Sequence, residues 1–259
     1  MKNKTRRLAE RFVSLLSRWP GVECVALNEA ADSDTLDPYF AVILDVYYRG
    51  DIPAPEERYE MYGGDAGAFE SSGGGSKDRF LVGGLPVRLE FKAAGKIEEL
   101  VDIAGSKHES LWLLKDSGTY GYYRLAHGEI LFSRTEWMAG LRRRLAALDD
   151  RFWKQSRAAA ESKMEHSLSD LGAALMHNDQ FHYLVSSALF IKYACLALFC
   201  VNRRFEPSHR AYHKQVLELP VLSESFAAEL DIFLRGSEEL TMERKYAVAQ
   251  LLARKIIAL

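Results

Sequence analysis

The sequence lacks paired cysteines, an excess of charge of one sign and a signal peptide, each of which would point to a particular functional class. Its three cysteines, Cys24, Cys195 and Cys200, form no CxxC pair, so a zinc site is disfavoured and reduced core thiols of a cytoplasmic protein are expected. The 34 basic and 36 acidic residues nearly cancel, so no overall field favours nucleic acid or an anionic membrane. We therefore expect neither as a partner.

The N-terminus, MKNKTRRLAERFVSLLSRW, has neither the continuous apolar segment nor the small-residue cleavage site of a signal peptide. We interpret it as an amphipathic helix. The stretch from Tyr183 to Val201 is the single segment near membrane-spanning length, but Lys192 lies at its centre. Because amphipathic helices that can cover it follow, we interpret it as a buried helix of a bundle.

The clearest signal that is present is a change of hydrophobic period near residue 135. Before it, β-branched and aromatic runs predict strands, of which DPYFAVILDVYY, Asp37 to Tyr48, is the strongest. From Thr135 onward the apolar spacing is about 3.6 and predicts five or so helices. We therefore predict an α+β fold, with a mixed sheet and flanking helices in residues 1–134 and an all-α helical bundle in residues 135–259.

A second strand signal lies at Leu85 to Lys92, after a turn at Gly83-Gly84 that predicts a hairpin. Its apolar residues alternate with Arg88, Glu90 and Lys92, so one side of this strand is expected to be charged.

Residues 49 to 79 are rich in turn-forming residues, with seven of the 18 glycines of the chain, and predict a long irregular loop. Within it, SSGGGSKDR (Ser71 to Arg79) allows two interpretations. In the first, the backbone amides of the glycines bind a phosphate and Lys77 and Arg79 supply positive charge. In the second, the glycines form a flexible turn.

Three carboxylates are candidates for a magnesium site, namely Asp37, Asp45 and Glu90. Asp37 and Asp45 lie roughly 26 Å apart on an extended strand at ~3.3 Å per residue, so Glu90 can pair with one of them but not with both. The alternative is that Asp45 forms a salt bridge with Arg88 or Lys92, that Asp37 makes a turn, and that Glu90 is solvated.

The order of elements resembles that of the nucleotidyltransferase superfamily, which includes aminoglycoside and lincosamide nucleotidyltransferases. In that comparison Leu27-Asn28 stands at the Gly-Ser pair of the family, Asp37-Pro38-Tyr39 at its Asp-x-Asp motif, and Glu90 at its third acid. The motif is degenerate, because Gly-Ser is missing, the second Asp is Tyr39 and the third acid is Glu.

The resemblance implies transfer of an NMP group from a nucleoside triphosphate to a small-molecule hydroxyl with magnesium. Asp37 and Glu90 would then be metal ligands and Asp45 a competing ligand or a base. The residues expected to contact phosphate are Lys77, Arg79, Arg88 and Lys92. The degenerate motif also fits a catalytically inactive member of the fold that binds a nucleotide-like ligand or a protein partner.

The fragment Lys115 to Leu125 places Tyr120, Tyr122 and Tyr123 beside Arg124. These residues are expected either to stack against a nucleobase or to pack as core tyrosines on a strand pair.

Overall fold

The computed structural model of the protein describes residues 2–28, 42–106, 119–235 and 240–259. Up to Ala146 the described elements are α1 (Lys2–Leu16), β1 (Val22–Asn28), β2 (Val42–Tyr48), α2 (Pro55–Tyr62), β3 (Ala66–Ser71), β4 (Lys77–Val82), β5 (Leu85–Ala93), α3 (Ala94–Ser106), α4 (Tyr120–His127), β6 (Glu129–Ser133) and α5 (Trp137–Ala146). They are followed by α6 (Asp150–Met176), α7 (Gln180–Val201), α8 (Tyr212–Leu217), α9 (Phe226–Leu234) and α10 (Met242–Ile257).

The chain divides into two compact units. The first comprises Met1–Ser106 with Tyr122–Ala147, and the second comprises Lys107–Gly121 with Leu148–Leu259. The boundary predicted between residues 134 and 135 falls inside the first unit, because α5 packs on α3. There Trp137 Nε1 donates to Glu98 at 2.6 Å, and α5 therefore belongs with the sheet.

The six strands of the described sheet have the order β3-β4-β5-β2-β1-β6. β2 and β5 are parallel, and the other neighbours are antiparallel. One face of the sheet is apolar, with Val25, Leu44 and Leu89 in a core cluster that also contains Phe12 and Leu16 of α1. The spacing of Phe12 and Leu16 places them on one side of α1, which covers this face.

The predicted hairpin through Gly83-Gly84 is confirmed, since Val82 pairs with Leu85 across it. Both glycines have positive φ, at 55° and 78°, which is the conformation that a two-residue turn of this kind requires. The strand predicted from Asp37 to Tyr48 is described from Val42 onward, and residues 37–41 lie outside the described residues.

The prediction of an irregular loop over residues 49–79 is wrong. This segment contains α2, β3 and the start of β4, and a buried ion pair holds them together. The Arg58 guanidinium donates to both oxygens of Asp78 at 2.8 Å, and both side chains are almost fully buried. Tyr62 OH also donates to Asp78, at 2.5 Å. Tertiary pairing therefore orders a stretch whose local composition indicates turns.

The second unit is helical, and its core cluster contains residues from α6, α7, α8, α9 and α10. Side chains in front of two helices cap the first turn, since Asp149 accepts from Phe152 N at 3.0 Å and Asp179 accepts from His182 N at 2.9 Å. The fold class predicted from the sequence is confirmed, because a mixed sheet with flanking helices is followed by a largely helical C-terminal half.

Among the described residues, α7 is the one helix long and apolar enough to cross a membrane, a test that core helices of soluble proteins also pass. Tyr183, Phe190 and Ala194 of α7 lie in the core cluster of the second unit. One side of α7 is therefore buried against its neighbouring helices.

Candidate functional site

Two acidic side chains lie next to each other on the face of the sheet opposite α1. In the parallel pairing of β2 with β5, Asp45 is in register with Glu90, and Lys77 of β4 is in register with Glu90 on its other side. Residues in register share a face of the sheet, and the period of two adds Arg88 and Lys92 to the same face. The charged side predicted for β5 is thus extended across three strands.

Arg124 of α4 joins the two acids. Its Nη2 donates to Asp45 Oδ1 at 2.5 Å and its Nη1 donates to Glu90 Oε2 at 2.8 Å. The side chain of Arg124 is 8% exposed. We call the six residues Asp45, Lys77, Arg88, Glu90, Lys92 and Arg124 the charged cluster.

Asp45 is fully buried, and several donors surround its carboxylate. Oδ1 also lies 2.8 Å from Lys92 Nζ. Oδ2 accepts from Asn28 Nδ2 at 2.7 Å and from Tyr47 OH at 3.2 Å. These contacts offset the cost of burying an ionised group.

Glu90 is surrounded mainly by cations. Oε1 lies 3.1 Å from Arg88 Nε and 3.7 Å from Lys77 Nζ, and Oε2 lies 3.7 Å from Lys92 Nζ. Burial alone would raise the pKa of Glu90, but Arg124, Lys92, Arg88 and Lys77 together hold it below its usual value. Burial lowers the pKa of Lys92, while Asp45 opposes that change.

The donor set around these acids does not fit a magnesium ion. Magnesium requires carboxylate oxygens at ~2.0–2.1 Å in near-octahedral geometry. Each of the four oxygens of Asp45 and Glu90 instead lies within 3.7 Å of an amide, hydroxyl, ammonium or guanidinium donor. In the part of the chain that the structure describes, no group of three or more His, Cys, Asp or Glu side chains is arranged to hold a metal.

The structure brings together five of the residues predicted for the site, namely Asp45, Lys77, Arg88, Glu90 and Lys92. Asp37, the other predicted metal ligand, lies outside the described residues. Arg79 is exposed. It pairs with Arg88 of β5 and not with Glu90, which pairs with Lys77. The alternative to a metal site was a salt bridge from Asp45 to Arg88 or Lys92, and Asp45 forms one with Lys92.

The glycine-rich stretch forms the loop of the β3–β4 hairpin. Gly75 N donates to Ser72 O at 2.7 Å, and Gly75 O accepts from Arg58 Nη2 at 2.9 Å. The buried Arg58 thereby fixes the backbone of the loop at Gly75. Gly75 has a φ of 63°, which favours glycine at this position.

Two members of the site were not assigned to it from the sequence. Arg124 was expected, together with the neighbouring tyrosines, either to stack against a nucleobase or to lie among core tyrosines on a strand pair. It lies instead on a helix, α4, which places its guanidinium against the sheet. Asn28, at the position compared with the serine of Gly-Ser, donates to Asp45 instead. The antiparallel pairing of β1 with β2 places Asn28 and Asp45 on one face of the sheet, and this register leaves no local pattern in the sequence.

No family model matches the chain, and no curated protein matches its sequence. Among solved structures, ten chains match. One of them is a nucleotidyltransferase-like protein from Exiguobacterium sibiricum 255-15, which is 12% identical, with 100% of this chain and 74% of that chain covered at a TM-score of 0.49. A likeness at this level transfers neither an activity nor a substrate to this chain.

Proposed function

We propose that this chain is a catalytically inactive binding module that holds a phosphate-bearing, nucleotide-like ligand at the charged cluster. The observation that carries the proposal is the bridge from Arg124 to Asp45 and Glu90. A guanidinium binds two acids of the site that the sequence resemblance assigns to metal chemistry. Because four cations surround two carboxylates, the cluster has a surplus of positive charge, which favours an anionic ligand.

Lys77 and Arg88 are the cations of the cluster most accessible to a ligand. Their side chains are 35% and 28% exposed, respectively. Lysine has three donors and arginine five, so contacts with one Glu90 oxygen leave both able to donate further. Lys92 and Arg124 lie deeper and hold the carboxylates in place, and the exposed Arg79 extends the positive charge along β4 and β5.

Thermal unfolding of the full chain tests the proposal. ATP and inorganic tripolyphosphate are added with EDTA present, and adenosine serves as the ligand without phosphate. We expect both phosphate compounds to raise the Tm without magnesium, because a ligand that binds only the folded state stabilises it. Adenosine should leave the Tm unchanged if phosphate dominates recognition.

The double variant Lys77→Ala/Arg88→Ala should weaken ATP binding in calorimetry by more than about 10-fold, since two charge-assisted contacts are lost. Lys214→Ala, an exposed lysine of α8, is the matched control and should bind like the wild type. Absence of any Tm change with nucleotides and polyphosphate would overturn the proposal. Unchanged ATP affinity of the double variant would exclude the charged cluster as the site.

A second candidate function is magnesium-dependent transfer of an NMP group to a small-molecule hydroxyl. The register of Asp45 with Glu90 is the observation in its favour, because transfer of this kind uses neighbouring carboxylates as magnesium ligands. Arg124 and Lys92, which contact both acids in this structure, would have to withdraw before the carboxylates could hold magnesium. Pyrophosphate release from nucleoside triphosphates with magnesium and polyhydroxylated acceptors is the assay. Release that Glu90→Gln abolishes would establish the transferase and refute the inactive module.

A further inference from the structure

The outward side of α7 carries an exposed apolar stripe. Phe181, Leu184, Val185 and Leu189 are 78%, 69%, 41% and 37% exposed, and their spacing places them on one side of the helix. We call these four residues the α7 stripe. Met176, the last residue of α6, is 85% exposed at the adjoining end of the α6–α7 hairpin.

The fold of the second unit does not account for this stripe. The opposite side of α7 already fills the core with residues such as Tyr183 and Phe190. A helix at a protein surface normally has polar residues on its outward side. About half of the most apolar part of α7 (56%) is buried within the chain. Because the outward side is apolar as well, the helix as a whole has the composition of a membrane span.

The exposed area is of the size that a dimer requires. The α7 stripe and Met176 consist of five large apolar side chains that are 37–85% exposed. Their combined exposed area is on the order of 600 Å², which is the upper end for a patch on a monomeric protein. If two copies covered this surface for each other, about 1,200 Å² would be buried in total, above the ~1,000 Å² expected of a specific interface.

We propose that the α7 stripe is the interface of a homodimer, in which α7 of one copy lies antiparallel to α7 of a second copy across a twofold axis near Val185. This arrangement places Phe181 opposite Leu189 of the second copy and packs Leu184 and Val185 around the axis. A twofold interface uses the same patch on both copies, and the α7 stripe is suited to this because large apolar side chains lie at both of its ends.

The charges at the two ends of the α7 stripe complement each other in the antiparallel arrangement. Asp179 is the N-cap of α7, and Lys192 continues the stripe at its other end while lying over the Tyr193 ring of its own chain. Antiparallel pairing about Val185 brings Asp179 of one copy near the level of Lys192 of the other. Parallel pairing would place like charges together, so charge selects the antiparallel arrangement.

A lipid bilayer is a poorer occupant of this surface. The α7 stripe is about 12 Å long at 1.5 Å per residue, well short of the ~30 Å hydrocarbon core that a spanning helix must cross.

Sedimentation velocity of the full chain over a wide concentration range tests the dimer. We expect twice the chain mass for the wild type. Leu184→Glu should raise the dissociation constant by more than about 100-fold, because each dimer would bury two unpaired carboxylates. Leu251→Glu, a change at an exposed leucine of α10, is the matched control and should remain dimeric.

Cysteine cross-linking gives a second measurement that does not depend on disrupting the interface. The native cysteines Cys24, Cys195 and Cys200 are free and buried, so a new surface cysteine can be followed alone. Val185→Cys should form a covalent dimer under mild oxidation, and Leu251→Cys should not.

Three outcomes would overturn the proposal. The first is a wild type that is monomeric at every concentration. The second is a dimer that Leu184→Glu does not weaken, which would place the interface elsewhere. The third is a monomer that binds anionic vesicles and loses that binding in Leu184→Glu, which would identify a membrane as the occupant.

Discussion

Arg124 and Asp45 form a buried ion pair, with Nη2 of the guanidinium 2.5 Å from Oδ1 of the carboxylate. Nη1 of the same guanidinium donates to Glu90, so one side chain of α4 connects the parallel strands β2 and β5. Loss of this cation would leave two acids of one sheet face without their common partner.

Arg124→Met should therefore lower the free energy of unfolding by about 3 kcal/mol, because removal of one member of a buried pair leaves the other uncompensated. Urea unfolding followed by circular dichroism measures the change. Arg79→Ala, at an exposed residue of the same sheet, should stay within about 0.5 kcal/mol of the wild type. Equal stability of the two variants would show that Lys92 and Asn28 suffice to compensate Asp45.

A larger effect is expected at the anchor of the β3–β4 hairpin. Asp78→Ala leaves the guanidinium of Arg58 buried without its carboxylate, at a cost of about 3–5 kcal/mol. The control is Asp65→Ala, which breaks an exposed pair with Arg11 whose side chains are 52% and 45% exposed and should cost less than about 1 kcal/mol. Similar midpoints in urea for Asp78→Ala and Asp65→Ala would contradict this difference.

Glu206 makes the stability of the second unit dependent on pH. This side chain is 2% exposed and accepts from Tyr212 OH at 2.9 Å. Burial raises its pKa from 4.5 to about 7. Between these values the unfolded chain has released the proton that the folded chain retains, so the free energy of unfolding falls as pH rises.

At 1.36 kcal/mol per pKa unit, the loss is on the order of 3 kcal/mol by pH 8. Glu206→Gln keeps an oxygen for Tyr212 OH but does not titrate, so its unfolding free energy should lack this decline and exceed that of the wild type above pH 7. Urea unfolding of both proteins at a series of pH values measures the difference. Parallel profiles for the two proteins would rule out Glu206 as the titrating group.

Gly128 permits α4 to approach β1 closely. A Cβ at this position would lie 2.8 Å from Arg124 O and 2.8 Å from Asn28 Oδ1. Gly128→Ala should thus displace α4 and cost about 1–3 kcal/mol. Gly95→Ala introduces the same atom into α3, where nothing lies within 4 Å, and should leave stability unchanged or raise it by up to about 1 kcal/mol. Thermal unfolding compares the two, and equal Tm values would argue against a steric limit at Gly128.

The parts of the fold that were predictable are those with strong local periodicity. The alternation of Val87, Leu89 and Phe91 with Arg88, Glu90 and Lys92 predicted the charged side of β5. The helical spacing after Thr135 predicted that helices follow the sheet, and the long helices α6 and α7 are among them. The segment from 49 to 79 was not predictable, because its short elements depend on Arg58 and Asp78, which are far apart in sequence and meet in the folded chain.

By itself, the sequence determined which residues of β2 and β5 are charged and that helices follow the sheet, because side-chain period is a local property. Only the tertiary structure decided which of these charged side chains contact one another. The parallel register placed Glu90 beside Asp45, and α4 brought Arg124 to both of them. Register and helix placement result from packing over long sequence separations, and neither leaves a local pattern. The same packing buried one side of α7 and left the α7 stripe exposed.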